Sequence, residues 1–77
     1  MRIPSHPRLD VDPGICGGRP RIAGTRLRVL DVLGQLAAGA TVEDVLRDYP
    51  FIVADDVRAC LAYAAEATDH PVVLAAE

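Results

Sequence analysis

The run Asp12-Pro13-Gly14-Ile15-Cys16-Gly17-Gly18-Arg19-Pro20-Arg21-Ile22-Ala23-Gly24-Thr25-Arg26-Leu27-Arg28 packs four glycines, two prolines and four arginines into seventeen positions. It stands directly ahead of a helical pattern. Glycine at this density costs too much backbone entropy for a helix interior, and proline lacks the N–H donor a helix needs. The run therefore reads as tight turns joining short extended pieces around Ile15-Cys16 and Arg21-Ile22.

Outward from this run, the rest of the chain reads as helix. Val29, Val32, Leu33 and Leu36 recur at the 3.6-residue period, and Gly39 suits a helix C-terminus. Thr41, with Asp44 three residues on, forms a capping box for a second helix. Val42, Val45, Leu46 and Tyr49 make the stripe of that helix, and Pro50 stops it. A third helix is expected from Ala54 to Glu66, with Val57, Cys60, Leu61 and Ala64 inward and Asp55 and Asp56 in the first turn. Residues 1–28 are thus an N-terminal arm with short strands, 29–67 a helical bundle and 68–77 a tail holding Val72-Val73-Leu74.

With 77 residues the chain is a single domain near the lower limit for a self-sufficient core, so dimerisation or a partner is expected. No segment approaches the roughly 20 apolar residues of a membrane span, and the first residues lack the apolar region of a secretory signal. The expected location is cytoplasmic, with no membrane contact. Cys16 and Cys60 stand far apart, without a Cys-x-x-Cys or a ligand cluster, and read as free thiols. No metal or cofactor is expected.

All eight basic residues are arginine, and they are placed unevenly. Residues 1–28 carry six against two aspartates, a local charge of +4; residues 29–77 carry two against nine carboxylates, a charge of −7. Two surfaces with different partners are implied.

Three helices with a five-residue break between the second and third match a helix-turn-helix. The expected fold is mainly α, a three-helix helix-turn-helix domain with short N-terminal β-strands. The third helix nevertheless opens on Asp55 and Asp56, with Arg58 as its sole basic residue, which repels a phosphate backbone. DNA contact is assigned instead to Arg19, Arg21, Arg26 and Arg28. Leu9, Ile15, Ile22 and Leu27 fall in short strands whose open edges invite a second chain, which makes them a candidate dimer interface.

The order Asp12-Pro13-x-Ile15-x-x-Gly18-x-Pro20-x-Ile22-x-Gly24-Thr25-Arg26-Leu27-x-Val29 resembles a family of small prokaryotic proteins known as domain of unknown function 433. Ala37-x-Gly39, Val45-Leu46, Tyr49-Pro50, Asp56-Val57 and Ala62-Tyr63 extend the resemblance over roughly residues 9–65. It implies a homeodomain-like helical fold with short N-terminal strands, in a dimeric, antitoxin-like protein with a toxin of PIN-like ribonuclease type encoded nearby. The chain departs from the pattern at Val53, where Thr or Ser usually caps the third helix, and at Arg28, where proline is common.

Gly17-Gly18 and Gly24-Thr25 lack the spacing of a phosphate loop and read as turns. Two readings of Arg26 stand level, a DNA contact or a structural partner of Asp10 or Asp12. His6 and His70 lie in proline-flanked termini that hold a general base poorly, so neither catalysis nor a small-molecule substrate is expected. Two functions remain. One is an antitoxin-like dimer that binds its operator through arginines and a ribonuclease toxin through Glu43, Asp44 and Asp48 or through Val72, Val73 and Leu74. The other is a protein-interaction module without DNA binding.

Overall fold

The structure, a computed structural model, describes residues 1–69. It is a small α+β domain in which three helices pack on a three-stranded antiparallel sheet. The strands are β1 (Arg2–Ile3), β2 (His6–Asp10) and β3 (Arg21–Ile22), in the order β1-β2-β3. The helices are α1 (Val29–Ala37), α2 (Val42–Asp48) and α3 (Ala54–Ala67).

The sheet gives the first residues a larger part than a mainly α expectation allows. Pro4-Ser5 turns β1 onto β2, and Leu9 and Asp10 of β2 pair with Ile22 and Arg21 of β3. The glycine-rich run forms turns as expected, and Ile15 is extended, but the extended piece does not continue through Cys16. A 3-10 turn over Cys16–Gly18 takes its place, with Cys16 at φ 55° and Gly17 at φ 65°. The paired glycines let the backbone enter this left-handed region, and Cys16 is carried there with them.

Each helix boundary has a local cause. Asp31 accepts from the backbone N–H of Arg28 at 3.1 Å, which fixes the start of α1. The C-terminus of α1 is a Schellman motif: Ala40 N–H donates to Gln35 O and Gly39 N–H to Leu36 O, with Gly39 at φ 104°. The capping box of α2 is complete, Thr41 Oγ1 accepting from Asp44 N–H at 3.1 Å and Asp44 accepting from Thr41 N–H at 2.9 Å. At α3 only half of that box exists. Asp56 accepts from Val53 N–H at 3.0 Å, while the Val53 side chain has no oxygen to return.

The core gathers Leu9, Ile22, Leu27, Val29, Val32, Val45, Ile52, Val57 and Cys60. It draws on β2, β3 and all three helices, so residues 1–28 are part of the globule rather than an arm. Two expected inward residues lie further out, Val42 at the surface edge of α2 and Leu61 on the solvent side of α3.

Candidate functional site

The arginines divide sharply by commitment. Arg21 is buried, donating to Asp10 Oδ2 at 2.7 Å and to the Thr25 carbonyl at 2.7 Å. It is therefore removed from the DNA-facing set, because a side chain clamped inside the sheet does not reach a phosphate. Arg28 is half-buried and grips Asp31 through Nε and Nη2, an arrangement that lowers the Asp31 carboxyl and raises the guanidinium. Arg8 reaches from β2 to α3 and bonds Asp56 at 3.0 Å. Arg47 and Arg58 pair on the surface with Asp44 and Asp55. Such exposed pairs add little stability, yet they cancel charge.

Arg19 and Arg26 are exposed and have no ion pair among the described residues. The two readings of Arg26 are thereby separated: the arginine that pairs with Asp10 is Arg21, not Arg26. Arg2, also exposed and without an ion pair among the described residues, donates to the Pro7 carbonyl on β2, while the backbones of Arg19 and Arg26 meet at the 3-10 turn. Arg19 N–H donates to the Cys16 carbonyl, and Cys16 Sγ donates to the Arg26 carbonyl at 3.3 Å.

The expected dimer contacts fare differently. Leu9, Ile22 and Leu27 are 0%, 3% and 7% exposed and lie in the core of one chain, so their side chains are closed to a second copy. The outer side of β3 is also occupied, since Ile22 N–H donates to Leu27 O and Val29 N–H to Pro20 O. Ile15 is half-buried. Of the acidic candidates, Asp44 is engaged by the cap and by Arg47, whereas Glu43 and Asp48 are exposed without an ion pair among the described residues. Val72, Val73, Leu74 and His70 lie outside the described residues.

Between α1 and α3 lies a groove of about 210 Å³, lined by Arg19, Pro20, Val29, Leu30, Leu33 and Tyr63. Leu30, one residue off the buried stripe of α1, leaves 45% of its surface exposed. Tyr63 is held by His6, whose ring meets it edge to face with centroids 5.6 Å apart. His6 in turn has Nε2 3.2 Å from Glu66 Oε1 and is buried, so the expectation of a poorly held terminal histidine does not stand. The groove was missed in the sequence because Val29 and Leu33 read as core periodicity and Leu30 was given no role. The available signal was the adjacency of Val29 and Leu30, which cannot both face one core.

The thiols have different surroundings. Cys60 is fully buried, and burial together with the Asp56 carboxylate pushes its thiol up to about 11. Cys16 is half-buried. No cluster of three metal-binding side chains occurs among the described residues.

Comparisons with known proteins agree with this architecture. The family model "Protein of unknown function (DUF433)" matches residues 9–64. The chain is 42% identical over 52 residues to uncharacterized protein y4eO of Sinorhizobium fredii (strain NBRC 101917 / NGR234), covering 68% of this chain and 24% of that protein. A crystal structure of a DUF433 member from Anabaena variabilis ATCC 29413 superposes with a TM-score of 0.73 at 33% identity, over 79% of this chain and 59% of that one. Rv2018 from Mycobacterium tuberculosis gives 0.68 at 38% identity, over 79% of this chain and 29% of the other. This chain thus spans about a quarter of the curated relative and less than two thirds of either solved structure. With a family model matched across most of its length and folds shared at more than 30% identity, the chain belongs to the DUF433 family.

Proposed function

We propose that this protein is an antitoxin-like, partner-binding domain that docks a PIN-like ribonuclease toxin. The groove between α1 and α3 carries the reading: aliphatic and aromatic walls are open to solvent beside Arg19, which has no ion pair among the described residues. An apolar recess rimmed by one charge is the usual form of an anchor site between proteins. Glu43 and Asp48 on α2 add a negative field that steers a basic partner. Dimerisation belongs to the same proposal, through exposed surface rather than through Leu9, Ile22 and Leu27. The order of α2, a turn burying Ile52, and α3 supports a homeodomain-like helix-turn-helix reading.

Co-expression with a PIN-like ribonuclease drawn from a gene neighbouring this one tests the proposal. Growth is rescued by the full-length protein, and Leu30→Asp abolishes the rescue while the variant remains folded by circular dichroism. A full-length protein that fails to rescue would count against the antitoxin reading itself.

Operator binding is the second reading, favoured by the gathering of Arg19, Arg26 and Arg28 around the Cys16–Gly18 turn. It is the weaker one. Five of the eight arginines are held in ion pairs within the described residues, so little cationic charge is left for phosphates.

A further inference from the structure

The backbone around Arg19 is stapled on both sides. Its N–H donates to the Cys16 carbonyl at 3.2 Å, and the carbonyl of the next residue, Pro20, accepts from the Val29 N–H at 2.9 Å. Arg19 is thus tied to the 3-10 turn and to the first residue of α1, while its guanidinium lies at the groove without a partner among the described residues. Carboxylates on the elements around it are already taken: Asp10 by Arg21, Asp31 by Arg28, and Asp12 by the Gly14 N–H. On the α3 side the Tyr63 ring is braced by His6, so the recess stands formed before anything enters it. Its size restricts the occupant. A volume of about 210 Å³ falls short of the roughly 300–1,000 Å³ of small-molecule sites and suits aliphatic anchor side chains instead.

We infer that the partner segment seated in this groove is aliphatic and carries a carboxylate that bonds Arg19. This rests on the partner-binding reading and names the chemistry of its occupant. Leu30, Leu33 and Tyr63 receive apolar side chains, and the planar fork of the guanidinium matches a carboxylate. A lysine or arginine at the same place would meet a like charge. A second copy laid face to face would set Arg19 against Arg19, and a nucleic acid gains nothing from apolar walls. The opposite sign holds on α2, where Glu43 and Asp48 are exposed without an ion pair among the described residues. A partner that brings an acid to Arg19 and a base to α2 docks in one orientation, because the reverse sets like charges together.

Two synthetic peptides test this chemistry on the full chain by nuclear magnetic resonance. They share a pair of leucines and differ at a single position, glutamate in one and lysine in the other. The readout is confined to the groove, namely the Leu30 and Leu33 methyl groups and the Tyr63 ring. The glutamate peptide is expected to shift these signals saturably and to bind about fivefold more tightly than the lysine peptide. That preference runs against the formal net charge of −3, which by itself draws the lysine peptide. Arg19→Gln should make the two peptides equal and Arg19→Glu should reverse their order, with far-ultraviolet circular dichroism unchanged. Equal or lysine-favouring binding to the parent chain overturns the inference, and so does the absence of groove shifts with either peptide. The two readings fail separately. No glutamate preference, with Leu30→Asp still abolishing rescue from the ribonuclease, removes the carboxylate alone. A clear preference, with Leu30→Asp still rescuing growth, removes the ribonuclease as occupant and leaves the carboxylate chemistry standing.

Discussion

Arg21 and Asp10 face each other across β3 and β2, with the guanidinium Nη2 donating to Oδ2 at 2.7 Å while Oδ1 lies 2.6 Å from the Met1 ammonium. The arginine side chain is 11% exposed and the aspartate 14%, so the pair is largely removed from water. Arg21 also ties the Thr25 carbonyl, which links the sheet to the turn ahead of α1. Taking away Arg21 leaves the largely buried Asp10 to the Met1 ammonium alone and removes the donor of the Thr25 carbonyl. Arg21→Ala is expected to destabilise the fold by about 3 kcal/mol, read as a lower urea midpoint at unchanged slope. An unaltered midpoint would mean that the side chain is a surface group after all.

Acid should unfold the protein through three carboxylates held below their ordinary range. The Met1 ammonium, with Arg21 adding to it, lowers Asp10; the Arg28 guanidinium lowers Asp31; the Thr41 backbone N–H and hydroxyl lower Asp44. Since folding depresses these values, the stabilisation is complete above the unfolded value of 3.8 and is lost as pH falls through the lower folded ones. The melting temperature is thus expected to be level near neutrality and to fall below about pH 4. Asp44→Asn should shallow that decline, and a melting temperature indifferent to acid down to about pH 2 would contradict the assignment.

The helical half was open to reading because its signals are local. Thr41 with Asp44, Gly39 after Ala37, and Pro50 after Tyr49 each act within one turn of helix, and each holds in the structure. The sheet depends on distant partners. Nothing near Leu9 reveals that it pairs with Ile22, and nothing near His6 reveals Glu66 sixty positions away. The same limit misassigned the arginines. Charge counted along the chain gave residues 1–28 a surplus of +4, but folding buries Arg21 against Asp10 and sends Arg8 to α3. The apolar strand residues were legible as buried; whether one chain or two buried them was not. As for the groove, it belongs to two helices and a turn, so no single window of sequence contains it.

The start of α3 offers a stabilising substitution. Val53 occupies the cap position with extended backbone and 53% of its surface exposed, while Asp56 already accepts from its N–H. Val53→Thr supplies the missing acceptor and completes the reciprocal box, with an expected gain of about 1 kcal/mol. The control is Thr41→Ala, which removes the acceptor that α2 already has and should lose about as much. Thermal unfolding of both variants checks the pair. A Val53→Thr protein less stable than the parent would mean that the valine packs in a way its exposure conceals.

The two thiols should label at very different rates. Cys16 is half-buried in the turn, whereas Cys60 is enclosed in the core with its thiol pushed up to about 11. At about pH 8 a disulfide reagent is expected to modify one thiol per chain quickly and the second only after denaturant is added. Mass spectrometry of the first product places the label on Cys16. Fast modification of Cys60 in the native protein would show that the core opens readily between α1 and α3.

The final test separates operator binding from protein binding by salt. Arg19 and Arg26 are exposed without ion pairs among the described residues, and Arg28, half-buried on Asp31, is available only in part. Each phosphate neutralised contributes about 0.9 to the slope of log affinity against log salt, so two arginines give a slope near 2 per chain and about 4 for a dimer. Operator DNA bound through this cluster should therefore show a shallow salt dependence. Replacing Arg19 and Arg26 together with Ala should reduce that slope by about 2 per chain, while Arg58→Ala, on the acidic first turn of α3, should leave it nearly unchanged. Toxin binding should respond in the opposite sense, falling with Leu30→Asp and changing little with Arg26→Ala. If Arg58→Ala alone removed DNA binding, α3 would be the reading helix despite Asp55 and Asp56. If no salt-dependent DNA binding occurred in any variant, the operator reading would fall and the proposed partner-binding role would stand by itself.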